Sequence, residues 1–335
     1  MKALLTIAAI ALLGSCVGLR AEQTPYGKLN AQAVQLYSEG KYDEAATTAE
    51  QALELAEKTL APDDKDLIVI LENLGASYLA GNKNEKATAT YERILAMRKK
   101  DPTADPATIA RTLFNLGDLA YDKTNWPAAT DYYKQCLDIR EKTLGPDNAE
   151  TILTVNRLAT VYESDKRYAD ALPLLDRVVA AREKSVGPDA AELVHPYYSL
   201  GVISGKLKRP ADEEKYYLKA LAAAQKHPGD NDQDLIESLK ALANLYASQE
   251  NYKAAEPMYK QLLALQEKHL GKENPELLDT LRGYADVVGW TQDDKGVFHG
   301  LNKKNVADTL NKRIHRLEAA QGKKDESPKG PRPAH

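Results

Sequence analysis

The stretch REKTLGPDNAE, Arg140 to Glu150, is written again as REKSVGPDAAE at Arg182 to Glu192, forty-two positions further along. A Gly-Pro-Asp turn flanked by Arg and Lys suits two roles: a phosphate-binding loop, or a joint between copies of one unit. The first role needs a single loop. The second requires the spacing to continue in both directions.

It does continue. Shifted by forty-two residues, the chain aligns Ala33, Gly75, Gly117, Ala159, Gly201, Ala243 and Ala285 in one column and Ala45, Ala87, Ala129, Ala171, Glu213 and Ala255 in a second. A third column holds Ala49, Tyr91, Tyr133, Leu175, Tyr217 and Tyr259, and a fourth Leu53, Leu95, Leu137, Val179, Leu221 and Leu263. Self-similarity at a fixed period means one supersecondary unit copied in tandem, each copy burying a face that its neighbour cannot bury alone. In the second unit Leu71, Leu74, Gly75 and Tyr78 share one helical face, Ala87, Tyr91, Ile94 and Leu95 share another, and Ala80 to Asn84 form the turn between them. Each unit therefore predicts two antiparallel helices. The small residues let the pair approach closely, and the Tyr or Leu fills the space beside that approach.

Within this frame the opening stretch is a joint. Arg140, Glu141 and Lys142 fall in the last turn of a second helix, where cations are favoured. Gly145 ends that helix, Pro146 stops its continuation, and Asp147 is placed to cap the next helix, with Glu150 three residues later. The same grammar recurs as Ala61-Pro62-Asp63 with Asp66, Gly187-Pro188-Asp189 with Glu192, and Gly229-Asp230 with Gln233. A phosphate loop has no reason to recur at every joint.

NLGASYLAGNKNEKATATYERIL, NLGDLAYDKTNWPAATDYYKQCLDIREKTLGPD and ANLYASQENYKAAEPMYKQLLALQEKHLG resemble tetratricopeptide repeats, most closely the long variety of kinesin light chains and many bacterial proteins. The resemblance covers residues 29–290, as six full repeats and a partial seventh. It implies an all-α fold, a right-handed superhelical solenoid of antiparallel helix pairs. It also implies a non-enzymatic scaffold that binds an extended peptide or protein partner in a concave groove lined by the first helix of each repeat.

By offset, the groove-facing residues of the early repeats are Val69, Glu72, Asn73, Arg111, Phe114, Asn115, Tyr121, Asn156, Arg157 and Thr160. Tyr198 and Val202 of the fifth repeat, Lys240 and Asn244 of the sixth, and Arg282 of the partial seventh complete the set. Asn carries both a donor and an acceptor, suited to clamping a peptide backbone. Arg and Lys supply charge-assisted bonds to acidic side chains or a terminal carboxylate, with Phe114, Tyr121 and Tyr198 as apolar anchors. The competing reading of the same residues is internal: Asn bonded to neighbouring helices, aromatics filling gaps between repeats.

The fifth repeat departs from the pattern. Glu213 stands in the Ala column just after Arg209-Pro210, and His195-Pro196 opens the first helix abruptly, so this repeat is expected to be the least regular. Beyond Trp290 the pattern decays through the loop-like residues 291–300. Val306, Leu310, Ile314 and Leu317 then form an apolar stripe in a helix from about Asn302 to Ala320, expected to cap the last repeat. Gly322 to His335 lacks apolar residues able to dock and reads as a disordered tail.

At the other end, Met1-Lys2 and the apolar Ala3 to Leu13 read as an export signal over residues 1–21, too short to span a bilayer. Two processing readings compete. Leu13-Gly14-Ser15-Cys16 resembles a bacterial lipobox, implying lipidation of Cys16 and a membrane anchor, whereas Leu19-Arg20-Ala21 allows cleavage before Glu22 and a soluble periplasmic or secreted protein. Residues 22–28 are then a tether.

Other chemistry finds no pattern. The 45 basic and 49 acidic residues are interspersed, with a net charge of −4 and no domain-sized basic face for nucleic acid. The six His form no HxxH or HExxH pair, and His227 and His269 read as surface cations near helix-ending turns. Cys136 reads as a core residue, and the carboxylates as solvated faces. No cofactor motif, metal set or catalytic constellation is present. The alternative to a groove-binding scaffold is a structural subunit that joins a multiprotein envelope complex through its outer helices or cap.

Overall fold

Ala, Leu, Glu and Lys at helical spacing, punctuated by Gly and Pro, leave the backbone one economical way to satisfy its hydrogen bonds. The computed structural model describes residues 23–227, 232–290 and 301–325, and every regular element among them is helical. The helices come in pairs: α1 (Pro25–Ser38) with α2 (Tyr42–Glu57), α3 (Lys65–Ala80) with α4 (Asn84–Lys100), α5 (Pro106–Asp122) with α6 (Trp126–Leu144), and α7 (Ala149–Ser164) with α8 (Tyr168–Val186). Next are α9 (Val194–Lys206) with α10 (Pro210–Lys226), α11 (Asp232–Ser248) with α12 (Tyr252–Leu270), and α13 (Leu278–Trp290) with α14 (Leu301–Asp325). The chain divides into two units, Met1–Leu174 and Leu175–His335, with the division inside α8. In the first unit α1 to α7 pack each on the next, and in the second α9 to α14 do the same.

One turn closes the hairpin in all six repeats. Gly40, Asn82, Thr124, Lys166, Lys208 and Glu250 have φ of 77, 63, 56, 60, 56 and 59°. The residue after each donates its N–H to the carbonyl five positions back, as from Lys83 to Tyr78 at 2.8 Å and from Asn125 to Ala120 at 2.9 Å. This arrangement satisfies carbonyls that a helix end would otherwise leave without donors. At the joints between repeats Gly145, Gly187 and Gly271 take φ of 87, 85 and 82°, which ends the helix as the sequence predicts.

The small-residue columns do what their spacing implies. Ala45, Ala87, Ala129, Ala171 and Ala255 are all 0% exposed. A Cβ built on Gly117 would stand 2.6 Å from the Tyr133 ring, and one on Gly201 2.5 Å from the Tyr217 ring. Around these contacts the first unit buries Leu113, Leu116 and Leu119, and the second buries Leu242, Leu262 and Leu281. Each is worth about 1.5–3 kcal/mol relative to an exposed position.

Several expectations need correction. The tether ends early: Thr24 caps α1 by accepting from Gly27 at 3.0 Å, Pro25 opens the helix, and the buried Tyr26 donates to Asp66 at 3.0 Å. The joint caps lie one residue later than predicted. Asp64 rather than Asp63 caps α3, and Asn148 rather than Asp147 caps α7, accepting from Glu150 N–H at 2.9 Å.

Arg140 lies before the last turn of α6, in which Lys142 is the basic residue. Arg140 itself is 6% exposed, and its Nη1 donates to the Glu150 carbonyl at 2.9 Å and the Thr154 hydroxyl at 2.8 Å. One repeat earlier Arg98 makes the same clasp, to the Thr108 carbonyl and the Thr112 hydroxyl. The clasp lapses at the next joint, where Pro196 takes the place of Thr154 and Arg182 is exposed. There Tyr197 donates to Glu183 at 2.6 Å, and Lys219 bonds the same carboxylate at 2.8 Å.

The fifth repeat tolerates its departures. Pro196 is the third residue of α9, within the first turn where a missing N–H costs nothing. Glu213 sits in the continuous α10 because Gly205 faces it; a Cβ there would lie 2.7 Å from the carboxylate. The 3₁₀ turn Ala191–Leu193 before α9 has a counterpart in Pro275–Leu277 before α13, so it does not single out this repeat.

Helix α14 presents Leu310, Ile314 and Leu317 to the second unit's core, with Val306 packed against it. It runs on to Asp325, so residues 322–325, read as tail, are helical; the N–H groups of a docked helix continue to find carbonyls without apolar side chains. The export segment with Cys16, the Gly229-Asp230 joint, residues 291–300 and tail residues 326–335 lie outside the described residues.

Candidate functional site

The first helices present the residues predicted to line a groove, and the two units use them differently. In the first unit most are engaged internally. Asn73 donates to Asn30 on α1 at 2.9 Å. Arg111 pairs with Glu72 at 3.0 Å, and the same carboxylate takes the buried Arg98 at 2.6 Å. Glu72 is thus not the solvated carboxylate expected: its side chain is 13% exposed. Phe114 packs edge-on against Tyr133 at 5.6 Å between centroids, and the Arg140 guanidinium lies over its ring at 5.0 Å. Asn115 stands beside the buried Tyr91 hydroxyl. Tyr121 shares a hydrogen bond of 3.1 Å with Ser164 and packs on Trp126. Arg157 lies 3.3 Å from Asp118. The half-buried Asn156 side chain has no hydrogen-bond partner among the described residues, while its carbonyl accepts from Thr160. For this unit the internal reading of the Asn and aromatic residues prevails at most positions.

Asp118 shows the electrostatics of that packing. Burial raises its carboxyl above the ordinary 3.8, against the opposing pull of the Tyr133 hydroxyl bond and the Arg157 charge. A carboxyl with a raised folded-state pKa favours the fold while protonated. Its contribution is complete below the ordinary value and fades as pH climbs through the folded one. In the sixth repeat Asn244 fills the same column and accepts the Tyr259 hydroxyl at 2.8 Å. Asp118→Asn is therefore expected to keep the tyrosine bond and to flatten the decline in stability above pH 3.8. Urea midpoints for both proteins across that range measure it, and parallel curves would remove Asp118 as the source.

In the second unit three predicted residues meet. Tyr198 of α9 and Lys240 and Asn244 of α11 line one cleft of about 1080 Å³, together with Tyr217 and Glu213 of α10 and Glu237 of α11. Lys240 is exposed and makes no ion pair among the described residues. Val202 packs against the core, and the Tyr198 ring lies tilted against that of Tyr217 at 5.5 Å between centroids. Arg282 is elsewhere, pairing with Glu318 of the capping helix at 2.8 Å. The prediction did not include Glu213 and Tyr217, although Glu213 was visible as the one charge in an Ala column. The far wall is tied down by His269, whose Nε2 lies 2.6 Å from the Asp232 carboxylate, while His227 bonds the Asp189 carbonyl at 3.1 Å. Both histidines reach back to the start of the preceding joint or helix, rather than to helix C-terminal carbonyls as expected.

Cys136 is fully buried, and burial pushes its thiol upward. Among the described residues there is no group of three or more potential metal ligands and no helix long and apolar enough to cross a membrane.

A family model for the tetratricopeptide repeat matches residues 27–100, 108–184, 150–226 and 192–268. The chain belongs to the tetratricopeptide repeat family. No curated protein matches it. Among solved structures, this tetratricopeptide repeat protein is similar to BtubC (BKLC) from P. vanneervenii, at 17% identity over 74% of this chain and 94% of that one, with a TM-score of 0.50. It is similar also to a putative kinesin light chain with nearly identical repeats from Podosopora anserina, at 18% identity over 62% of this chain and 100% of that one, TM-score 0.51. The apo form of RapI matches 90% of this chain and 100% of its own at 12% identity and TM-score 0.51. Likeness at these identities establishes the fold alone. The family's repeats generally serve as non-catalytic scaffolds for protein–protein interaction.

Proposed function

We propose that this tetratricopeptide repeat protein is a non-enzymatic scaffold of the cell envelope that holds an extended segment of a protein partner against its first helices. The observation that carries this reading is the cleft at Tyr198, Lys240 and Asn244: side chains from two successive first helices border an open, polar-and-aromatic hollow. The partner is a protein or peptide. Nothing in the interspersed charge suits nucleic acid, and no cofactor or metal enters the reading.

The envelope placement rests on the N-terminal sequence. Residues 1–21 direct export, followed either by lipidation of Cys16 or by cleavage after Ala21. The rival reading, an assembly subunit joined through outer helices, draws little support. Of the exposed large hydrophobic residues among the described ones, Leu144, Val186 and Leu270 share one repeat position, while Leu55, Leu153 and Leu218 each fall at another.

A photo-crosslinking residue at Lys240, compared with one at the exposed Lys260 of α12, tests the site in intact cells. Crosslinks to a partner are expected from position 240. Crosslinks only from position 260 would move the interaction to the outer helices. The intact mass of the mature protein in the same material distinguishes acylated Cys16 from a chain starting at Glu22.

A further inference from the structure

Two third-column tyrosines bond a side chain fifteen residues earlier, on the first helix of their own repeat. Tyr133 donates its hydroxyl to Asp118, and Tyr259 donates to Asn244 at 2.8 Å. At the matching position the fifth repeat has Val202, which offers no acceptor. Tyr217 is accordingly 6% exposed with a hydroxyl that has no hydrogen-bond partner among the described residues, and it lies on the wall of the cleft.

Beside it is a second unmet group. Glu213, one turn earlier on α10, backs onto Gly205, and its carboxylate has neither an ion pair nor a hydrogen bond among the described residues. Nearby charge does not neutralise it. Glu237 adds a carboxylate next to Tyr198, accepting only from Gln233 at 3.1 Å, and Glu276 adds another on the cleft wall. Asp232 is already matched by Lys268 and His269, which leaves Lys240 as the cleft's single uncommitted cation among the described residues. The rings of Tyr198 and Tyr217, tilted by 44°, line the approach to Glu213.

We propose that this cleft receives a lysine or arginine side chain from a basic segment of the partner protein. The apolar stem lies along Tyr198 and Tyr217, the charged head pairs with Glu213, and the Tyr217 hydroxyl bonds the same head group or the adjoining backbone carbonyl. Aromatic faces attract cations, and a long aliphatic stem ending in a charge fits a ring-lined channel ending in a carboxylate. An acidic segment would instead meet Glu213, Glu237 and Glu276. The inference rests on the scaffold reading and sharpens it, because it assigns the partner a charge.

Selection of random-sequence peptides displayed on phage, with the full chain immobilised, tests it. The enriched peptides are expected to carry Arg or Lys at a fixed position. Affinity should fall roughly tenfold for Glu213→Gln, and by a similar factor when that peptide arginine is replaced by uncharged citrulline, with little further loss when both changes are made. Circular dichroism verifies the variant's fold, and the citrulline peptide probes the wild-type chain regardless. Enrichment of acidic peptides, or basic peptides indifferent to Glu213→Gln and to citrulline, would overturn the charge assignment while leaving peptide binding intact. Failure to enrich any peptide would overturn both.

Discussion

Gly117→Val is expected to unfold the third repeat. Already the first added carbon would lie 2.6 Å from the Tyr133 ring, and Tyr133 is 1% exposed, walled in and bonded to Asp118, so the ring has nowhere to retreat. Overpacking of this kind costs about 3 kcal/mol, near the top of its usual range, because the obstacle is a fixed aromatic ring rather than the end of a flexible chain. The fourth repeat indicates the remedy. It writes Ala159 opposite Leu175 where the third writes Gly117 opposite Tyr133. Tyr133→Leu in the Gly117→Val background should recover part of the loss, a coupling that independent sites would not show. Because each repeat leans only on its neighbours, amide exchange should place the loss in α5 and α6 first. Uniform loss of protection along the chain, or additive urea midpoints, would refute the ring contact as the cause.

Glu72→Ala is the second large effect. Among the described residues its carboxylate is the only acidic partner of Arg98, whose side chain is 7% exposed, and it holds Arg111 as well. Removing it leaves a buried guanidinium supported by the Thr112 hydroxyl and the Thr108 carbonyl alone. Breaking one side of a buried pair typically costs about 3–5 kcal/mol, since the remaining charge has lost its compensation. Glu150→Ala makes the internal control. Glu150 pairs with Arg140 at 2.9 Å, but its carboxylate is 63% exposed and its carbonyl, which accepts from the same guanidinium at 2.9 Å, is kept. That change should cost less than about 1 kcal/mol. Urea unfolding of the two variants side by side decides the matter; equal losses would mean that burial of the partner is not what sets the scale.

These two sites also mark what could be read from the sequence. The forty-two-residue period gave the helix pairs, the Gly and Tyr columns gave their contact, and the Gly-Pro joints gave the breaks. Such features are legible because backbone freedom and side-chain volume act locally and repeat without change. The burial of Arg140 was not legible, because a cation near a helix end is ordinarily solvated and the group that buries it comes from the next repeat. A sign was present: Arg98 precedes Thr112 by the same interval as Arg140 precedes Thr154, and Arg182 faces Pro196 where the pattern lapses. The site was half legible. Offset alone put Tyr198, Lys240 and Asn244 on the helices that border the cleft. It could not tell that Asn73, Arg111 and Arg157 would be taken up by Asn30, Glu72 and Asp118, because partner choice across repeats depends on side-chain reach.

The hairpin turns have a consequence for how the chain folds. Five of the six left-handed turn positions carry Asn, Thr, Lys, Lys and Glu, and only Gly40 is free of a Cβ. For the Thr, Lys and Glu residues that conformation is uphill by about 1–2 kcal/mol each. An isolated loop of this composition would not choose it. The turns are therefore drawn shut by helices that have already found each other, and they cannot act as the seeds from which the hairpins grow. Early structure belongs to the paired helical faces, and the first repeat, with Gly40 at its bend, closes against the least resistance.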